Sequence, residues 1–296
     1  MTSSGLLVVD KPGGMTSHDV VARVRRILGT RKVGHAGTLD PMATGVLLLG
    51  VERATRLLGH LALADKRYRA TIRLGSSTVT DDREGDIVTR ADEATLAGLG
   101  EDAIMTALAS LTGSIEQRPS SVSAVKVDGR RAYDRVRSGE QVDLASRRVV
   151  ISRLDVLEVR REAAAIDVDV DVECSTGTYV RAIARDAGSA LGVGGHLTML
   201  RRTRVGPFGE ERARSLADIE TAGDSALLPL TDVAIASFPT WRLDDEQSAA
   251  ARVGRRFPWD GPVSTDGPVA LLSRDGEFLA LAADDAGDTR YLAVFA

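Results

Sequence analysis

A second cysteine is missing from these 296 residues, so Cys174 has no internal disulfide partner and a multi-cysteine metal cage is excluded. Histidine is scarce as well. His18, His35, His60 and His196 are scattered without ligand spacing, and no resident metal is expected. No apolar run approaches the ~18 residues that suggest a membrane span. The opening MTSSGLLVVD lacks a basic stretch followed by a long apolar one, so export is not expected and the cytoplasm is the expected compartment. Repeats at periods of about 20 to 50 residues and low-complexity tracts are absent too, which excludes solenoids and arrays. What is there suits a packed core: 43% of the residues are hydrophobic, over a length that fits one large domain or a large one with a small companion.

A formal net charge of −4 argues at first sight against a phosphate-binding protein. The distribution reverses that impression. Residues 1–80 hold 12 Lys and Arg against 5 Asp and Glu, whereas 81–115 hold 2 against 8 and 223–296 hold 6 against 12. Acidity is segregated, and a basic face remains open to the first part of the chain.

That part contains GHAGTLDPMATG, residues 34–45. Gly34, Gly37 and Gly45 permit positive φ and close backbone approach, and Pro41 steers Asp40 away from helical geometry. The apolar run Val46–Val51 follows directly, so a carboxylate stands in a shaped loop at the mouth of a buried strand. Taken alone, the pattern favours a turn-closing aspartate over a catalytic one.

The chain around this loop reads as alternating elements. Leu6–Val9 form a short strand, ended by the turn Asp10-Lys11-Pro12-Gly13-Gly14. A helix follows, with Thr16 and Asp19 at capping-box spacing, Val20, Val21, Val24, Ile27 and Leu28 on one face, and Gly29 as its stop. Arg23, Arg25, Arg26, Arg31 and Lys32 crowd its exposed side and the approach to the Asp40 loop, open to solvent or phosphate. Ala54, Leu57, Leu58 and Leu61 predict a second helix. Strand 66–75 puts Tyr68, Ala70, Ile72 and Leu74 on one face and Arg67, Arg69, Thr71 and Arg73 on the other. SSTVTDDREGD, 76–86, reads as a solvated acidic connection whose spacing does not fit a calcium loop. A structural helix is expected over about Asp102–Leu111, with Ile104, Met105, Leu108 and Leu111 buried.

Residues 116–153 read as an inserted unit. A strand over Val122–Val127 leads through the turn Asp128-Gly129 to a short basic helix with Tyr133, and Arg130, Arg131, Arg135, Arg137, Arg147, Arg148 and Arg153 supply cations. Ala165–Glu173 alternates strictly, with Asp167, Asp169, Asp171 and Glu173 on a face expected in water. Cys174 reads as a core thiol. Ser175-Thr176-Gly177-Thr178 then turn into a helix whose start bears Tyr179 and Arg181 and would favour an anion. Leu197–Val205 is apolar then basic, Gly206-Pro207-Phe208 breaks it, and Ser215–Glu220 predict a short helix. Beyond about Asp224 the chain is acidic and strand-like, at 241–243, 269–272, 278–282 and 291–295.

Four stretches together resemble the TruB family of pseudouridine synthases, the branch that modifies the T-loop uridine of transfer RNA. They are GLLVVDKPGGMTSHDVV at 5–21, GHAGTLDPMATGVLLLG at 34–50, KRYRATIRLG at 66–75 and STGTYVRAIARDAG at 175–188. The likeness covers roughly the first three quarters of the chain and weakens after about Thr221. It implies an α+β pseudouridine synthase fold, a mixed, mainly antiparallel sheet flanked by helices. The expected division is a catalytic domain at 1–223, with 116–153 clamping RNA, and a small β-rich domain of the PUA type at 224–296.

The resemblance also implies a site. Asp40 is its catalytic acid, Arg181 the cation that pairs with it, Tyr68 the ring that stacks on the target uracil, Tyr179 and Leu200 further walls, and His35 the residue that helps displace the nucleotide. The isomerisation is redox-neutral and transfers no external group, so no cofactor or metal is implied. The expected partner is the T stem-loop of tRNA, with no obligatory protein partner and a monomeric chain. Two rivals remain open: a synthase of the same fold acting on another RNA, and a non-catalytic tRNA-binding chaperone.

Overall fold

The computed structural model describes residues 3–120, 126–127, 130–131, 145–262 and 267–295. They fall into two compact units, one of Met1–Asp40, Val46–Ala62 and Gly206–Ala296, the other of Pro41–Gly45 and Leu63–Val205.

In the first unit, β1 (Gly5–Lys11) leads to α1 (Ser17–Leu28), and the helix starts and stops where its residues dictate. The Thr16 hydroxyl accepts from the Asp19 N–H at 3.1 Å, the Asp19 carboxylate accepts from the Thr16 N–H at 2.8 Å, and Gly29 ends the helix at φ 64°. Val20, Val21, Val24 and Leu28 are buried, which for such side chains stabilises by about 1.5–3 kcal/mol each. Before the helix, the buried Lys11 ammonium donates to the carbonyls of Pro12 and Met15 and so closes the turn. Next come β2 (Val33–Ala36) and β3 (Thr44–Val51, its first two residues belonging to the second unit), antiparallel with His35 opposite Leu49. The expected second helix is shorter than predicted: Glu52–Leu57 is a 3-10 turn and only Leu58–Leu61, α2, is α-helical.

The second unit is a sheet built around β4 (Lys66–Leu74). A hairpin follows it, β5 (Ser76–Thr78) with β6 (Ile87–Arg90), and then two helices, α3 (Glu93–Gly98) and α4 (Glu101–Ala109). Met105 on α4 is exposed rather than on the buried stripe. β7 (Gly113–Gln117) precedes a small pairing of β8 (Lys126–Val127) with β9 (Arg130–Arg131). The rest of the expected strand, turn and basic helix lies outside the described residues. β10 (Arg147–Glu162) is a long strand that the sequence reading did not separate from the insertion. It is followed by β11 (Ala165–Cys174), α5 (Val180–Ala190) and β12 (Gly195–Val205). β12, β4, β11, β10 and β7 lie side by side, each antiparallel to its neighbour, and α5 packs on β12 and β4. The apolar side chains of one face, Ile72, Leu74, Val168 and Val170 with Leu197, are buried, as is Ile183 of α5.

The acidic face of β11 is not in open water. Asp167 lies opposite Arg73 and takes two bonds from its guanidinium, both at 2.7 Å. Asp171 takes two from Arg67, at 2.7 and 3.0 Å, and Asp169 accepts from Thr71 and Arg160. Arg204 reaches Glu173 at 2.7 Å. Alternation shows that the acids share a face, but only register shows that arginines of β4 share it too. A slip by one residue would turn every acid into the core, so the ladder specifies pairing even where partly exposed ion pairs add little energy.

The chain then returns to the first unit. β13 (Phe208–Gly209) is followed by α6 (Leu216–Ala222), which the Ser215–Asp218 capping box starts. β14 (Leu228–Pro229) pairs with β1, and α7 (Leu230–Ser237) follows. A small C-terminal β domain ends the chain: β15 (Thr240–Arg242), β16 (Val269–Leu272), β17 (Phe278–Asp285) and β18 (Asp288–Val294) in sheet order, with α8 (Asp245–Arg252) between the first two in sequence. Its core of Leu243, Val269, Leu271 and Leu279 is flanked by Trp241, Phe257 and Trp259. The helices α7 and α8 were not anticipated there. Among the described residues no helix is long and apolar enough to cross a membrane.

Candidate active site

Asp40 is held by what surrounds it in sequence. Leu39, Met42 and Ala43 are buried, and Gly37 turns the chain at φ 80°. The hydroxyl of Ser17, first residue of α1, accepts from the Leu39 N–H at 2.9 Å and donates to the Leu39 carbonyl at 3.2 Å. The capped helix start is thereby bolted to the residue before Asp40, which itself is half-buried. On the other side, Thr44 and Gly45 open β3 by pairing in parallel with Arg201 and Arg202 of β12. Gly45 has φ 97°, and a Cβ there would lie 2.2 Å from the Arg202 carbonyl oxygen, so only glycine fits. Gly34, expected to be a turn residue, instead lies within β2. His35, also in β2, meets His18 of α1 edge to face, ring centroids 5.3 Å apart. His18 was not among the expected site residues.

In the second unit, Tyr68 and Leu200 come together on one face of adjacent strands. Tyr68 is buried, opposite Val172 on one side and Arg202 on the other, and Leu200 lies opposite Ala70. Two cations share that face, and the sequence reading missed both. Arg202 is 1% exposed and Lys66 7%. Burial, then the charge of Arg202, brings the Lys66 ammonium down to about 8, and its Nζ donates to the Ala64 carbonyl at 2.6 Å. The parity of KRY in β4 was the available signal for Lys66; Arg202 needed the β12 register.

Tyr179 and Arg181 open α5. Tyr179 is half-buried in the position before the helix, and its N–H is taken by Gln117 rather than left for an anion. Arg181 is 4% exposed; its Nη1 donates to the Thr80 carbonyl at 2.8 Å and lies 3.4 Å from an Asp82 oxygen. One turn on, Arg185 lies 3.3 Å from Asp81. The segment read as a solvated connection is therefore an anchor. Asp81 and Asp82 are buried, Asp82 accepts from the Thr80 hydroxyl at 2.6 Å and the Glu84 N–H at 3.0 Å, and Asp81 sits at φ 59°. Bonds from the Asp81 N–H to Thr78 and from the Leu197 N–H to the Asp81 carbonyl hold that strained conformation. Burial pushes the Asp81 carboxyl up, opposed by the nearby guanidiniums. Among the described residues, no group of three or more His, Cys, Asp or Glu could hold a metal.

Comparison with known proteins matches residues 25–180 to the N-terminal domain of TruB family pseudouridylate synthases and residues 181–228 to the tRNA pseudouridylate synthase B C-terminal domain. The chain belongs to the TruB family. Curated relatives carrying the name tRNA pseudouridine synthase B include those of Nocardia farcinica (57% identical, 94% of this chain and 88% of the relative), Leifsonia xyli (55%, 95% and 93%) and Streptomyces griseus (51%, 100% and 98%). Among solved structures, a Cbf5–Nop10–Gar1 complex matches with TM-score 0.74 and 28% identity over 98% of this chain and 85% of the other. An H/ACA ribonucleoprotein bound to a substrate RNA containing 2'-deoxyuridine matches with TM-score 0.71 and 29% identity over 94% and 77%. The fold is that of the pseudouridine synthases, and as a TruB family member the chain is an isomerase. The family matches contain Asp40, Tyr68, Tyr179, Arg181 and Leu200, whereas β15 to β18 lie beyond both.

Proposed function

We propose that this protein converts uridine 55 in the T-loop of tRNA to pseudouridine, with Asp40 as the catalytic acid. The N1–C1' bond breaks, the uracil rotates, and C5 bonds to the same ribose carbon. C5 gives up its proton, N1 gains one, and no electrons are exchanged with another reagent. Asp40 supplies the carboxylate that attacks the nucleoside or balances positive charge developing at the sugar. Arg181 orients that carboxylate. The target base leaves its stack with the help of His35 and lies against Tyr68, with Tyr179 and Leu200 beside it; stacking of this kind is worth about 1–3 kcal/mol per base. The arginines of the 116–153 insertion grip the RNA stem, and 224–296 forms an accessory PUA-like domain.

One observation carries the reading: Asp40 stands in a loop fixed on both sides, by Ser17 at Leu39 and by Arg202 at Gly45, within the segment matched to this synthase family. The name shared by the relatives supports tRNA as substrate. The test is incubation of the purified chain with an unmodified tRNA transcript, followed by mapping of pseudouridine. A single new pseudouridine at position 55 is expected. Modification elsewhere only would assign another RNA, and tight binding with no pseudouridine would make the protein a chaperone.

A further inference from the structure

One side chain grips the backbone of Tyr179. Gln117, last residue of β7, is 2% exposed and spends both ends of its amide on the same residue. Its Oε1 accepts from the Tyr179 N–H at 2.8 Å and its Nε2 donates to the Tyr179 carbonyl at 3.1 Å. A neighbouring β-strand would offer the same pair of bonds; here an amide imitates it. Tyr179 needs such a partner, because it is extended (φ −103°, ψ 107°) just before α5 and has no side-chain cap. Its carbonyl also accepts from the Ala182 N–H at 3.1 Å, so the grip extends to the first helical turn. A second brace lies alongside: Arg185 donates to the Arg118 carbonyl at 2.8 Å and the Pro119 carbonyl at 3.5 Å. Residues 117–119 are thus bound along the start of the helix at two points.

We propose that Gln117 is a positioning residue that aims the Tyr179 ring at the substrate nucleoside. The inference rests on the reading of Tyr179 as a substrate contact. Two bonds to one backbone residue fix both its location and its rotation, which a single bond or an apolar contact does not. Leucine at 117 fills similar space and makes neither bond. Glutamate keeps an acceptor for the N–H but sets a second acceptor against the carbonyl.

The test is a double-mutant cycle between Gln117→Leu and Tyr179→Ala, read as single-turnover rate and binding of unmodified tRNA, well below each variant's melting temperature. Gln117→Leu should slow the reaction about ten- to a hundredfold and change tRNA affinity less than about threefold, as displacement of an aligned group does. In the Tyr179→Ala background the same change should cost less than about twofold. Gln117→Glu should fall between Leu and the parent, and it provides the measurement if Gln117→Leu does not fold. A slow Tyr179→Ala beside a fast Gln117→Leu, or equal losses from Gln117→Leu in both backgrounds, would overturn the positioning role alone. Tyr179→Ala at the parent's rate would instead end the reading of Tyr179 as a substrate contact.

Discussion

Two acid-bearing turns of this chain look alike in sequence and are built differently. Residues 36–45 are fixed through backbone: Ser17 holds both polar groups of Leu39, and Gly45 pairs closely with Arg202. Residues 78–86 are fixed through the acids themselves, with Asp82 bonded to Thr80 and Glu84 and facing Arg181, and Asp81 facing Arg185. A turn secured by its backbone keeps its shape without drawing on its carboxylate for that purpose. A turn secured by its carboxylates commits them to holding cations in place. The first arrangement suits a reacting acid, the second a support.

Asp40→Asn tests the first half of that contrast most severely. The amide is isosteric and leaves the Ser17 and Arg202 anchors untouched, so folding and tRNA affinity should stay within about threefold. Pseudouridine formation should fall at least about 10³-fold, as loss of a reacting group does. Turnover at the parent's rate would take Asp40 out of the chemistry and leave the two turns with one role.

Asp82→Asn tests the second half. It removes the charge that faces buried Arg181 while the Thr80 contact remains, so the rate should drop about 10²-fold through misplacement of the guanidinium. Stability should fall by about 1–3 kcal/mol, since a buried polar group loses its match. Single-turnover kinetics and thermal melting check both. A solvated aspartate, as the sequence first suggests, would show neither loss.

The difference between the turns explains what could be read in advance. α1 was legible because its cap, apolar face and stop are all local, at Thr16, Asp19 and Gly29. The alternation of β4 and β11 was legible too, but not that Arg67 meets Asp171, which register decides. The shaped loop around Asp40 was legible because the glycines that turn it, Gly37 and Gly45, and Pro41 lie close together in sequence. Asp81 and Asp82 were not, because the groups that give them meaning, Arg181 and Arg185, lie about a hundred residues away on another element. Gln117 carried no local mark at all. α8 was missed despite a signal: Asp244 and Gln247 form a capping box, overlooked among strand-like neighbours.

Ser17→Ala measures how far the first turn depends on its backbone anchor. It removes both bonds to Leu39 and leaves that buried N–H and carbonyl to find other partners, at a cost of about 1–3 kcal/mol. The rate should fall about tenfold, because Asp40 follows Leu39 directly. An unchanged rate with a lowered melting temperature would show that Ser17 supports the helix start and not the acid.

The smallest effect separates the turns by pH. Burial raises the Asp81 carboxyl above its ordinary value, although the Arg185 and Arg181 guanidiniums oppose it. The folded chain therefore holds this proton more tightly than the unfolded one. Stability from the group is complete below the unfolded value of 3.8 and is lost as pH rises through the raised folded value. Asp81→Asn has no such proton, and contributions from all other groups cancel in the difference between the two proteins. Urea midpoints should show the parent gaining on Asp81→Asn as pH falls from about 7 toward 4. A gap that stays constant across that range would mean that this carboxylate is not held under burial, and that the second turn is no more committed to its acids than the first.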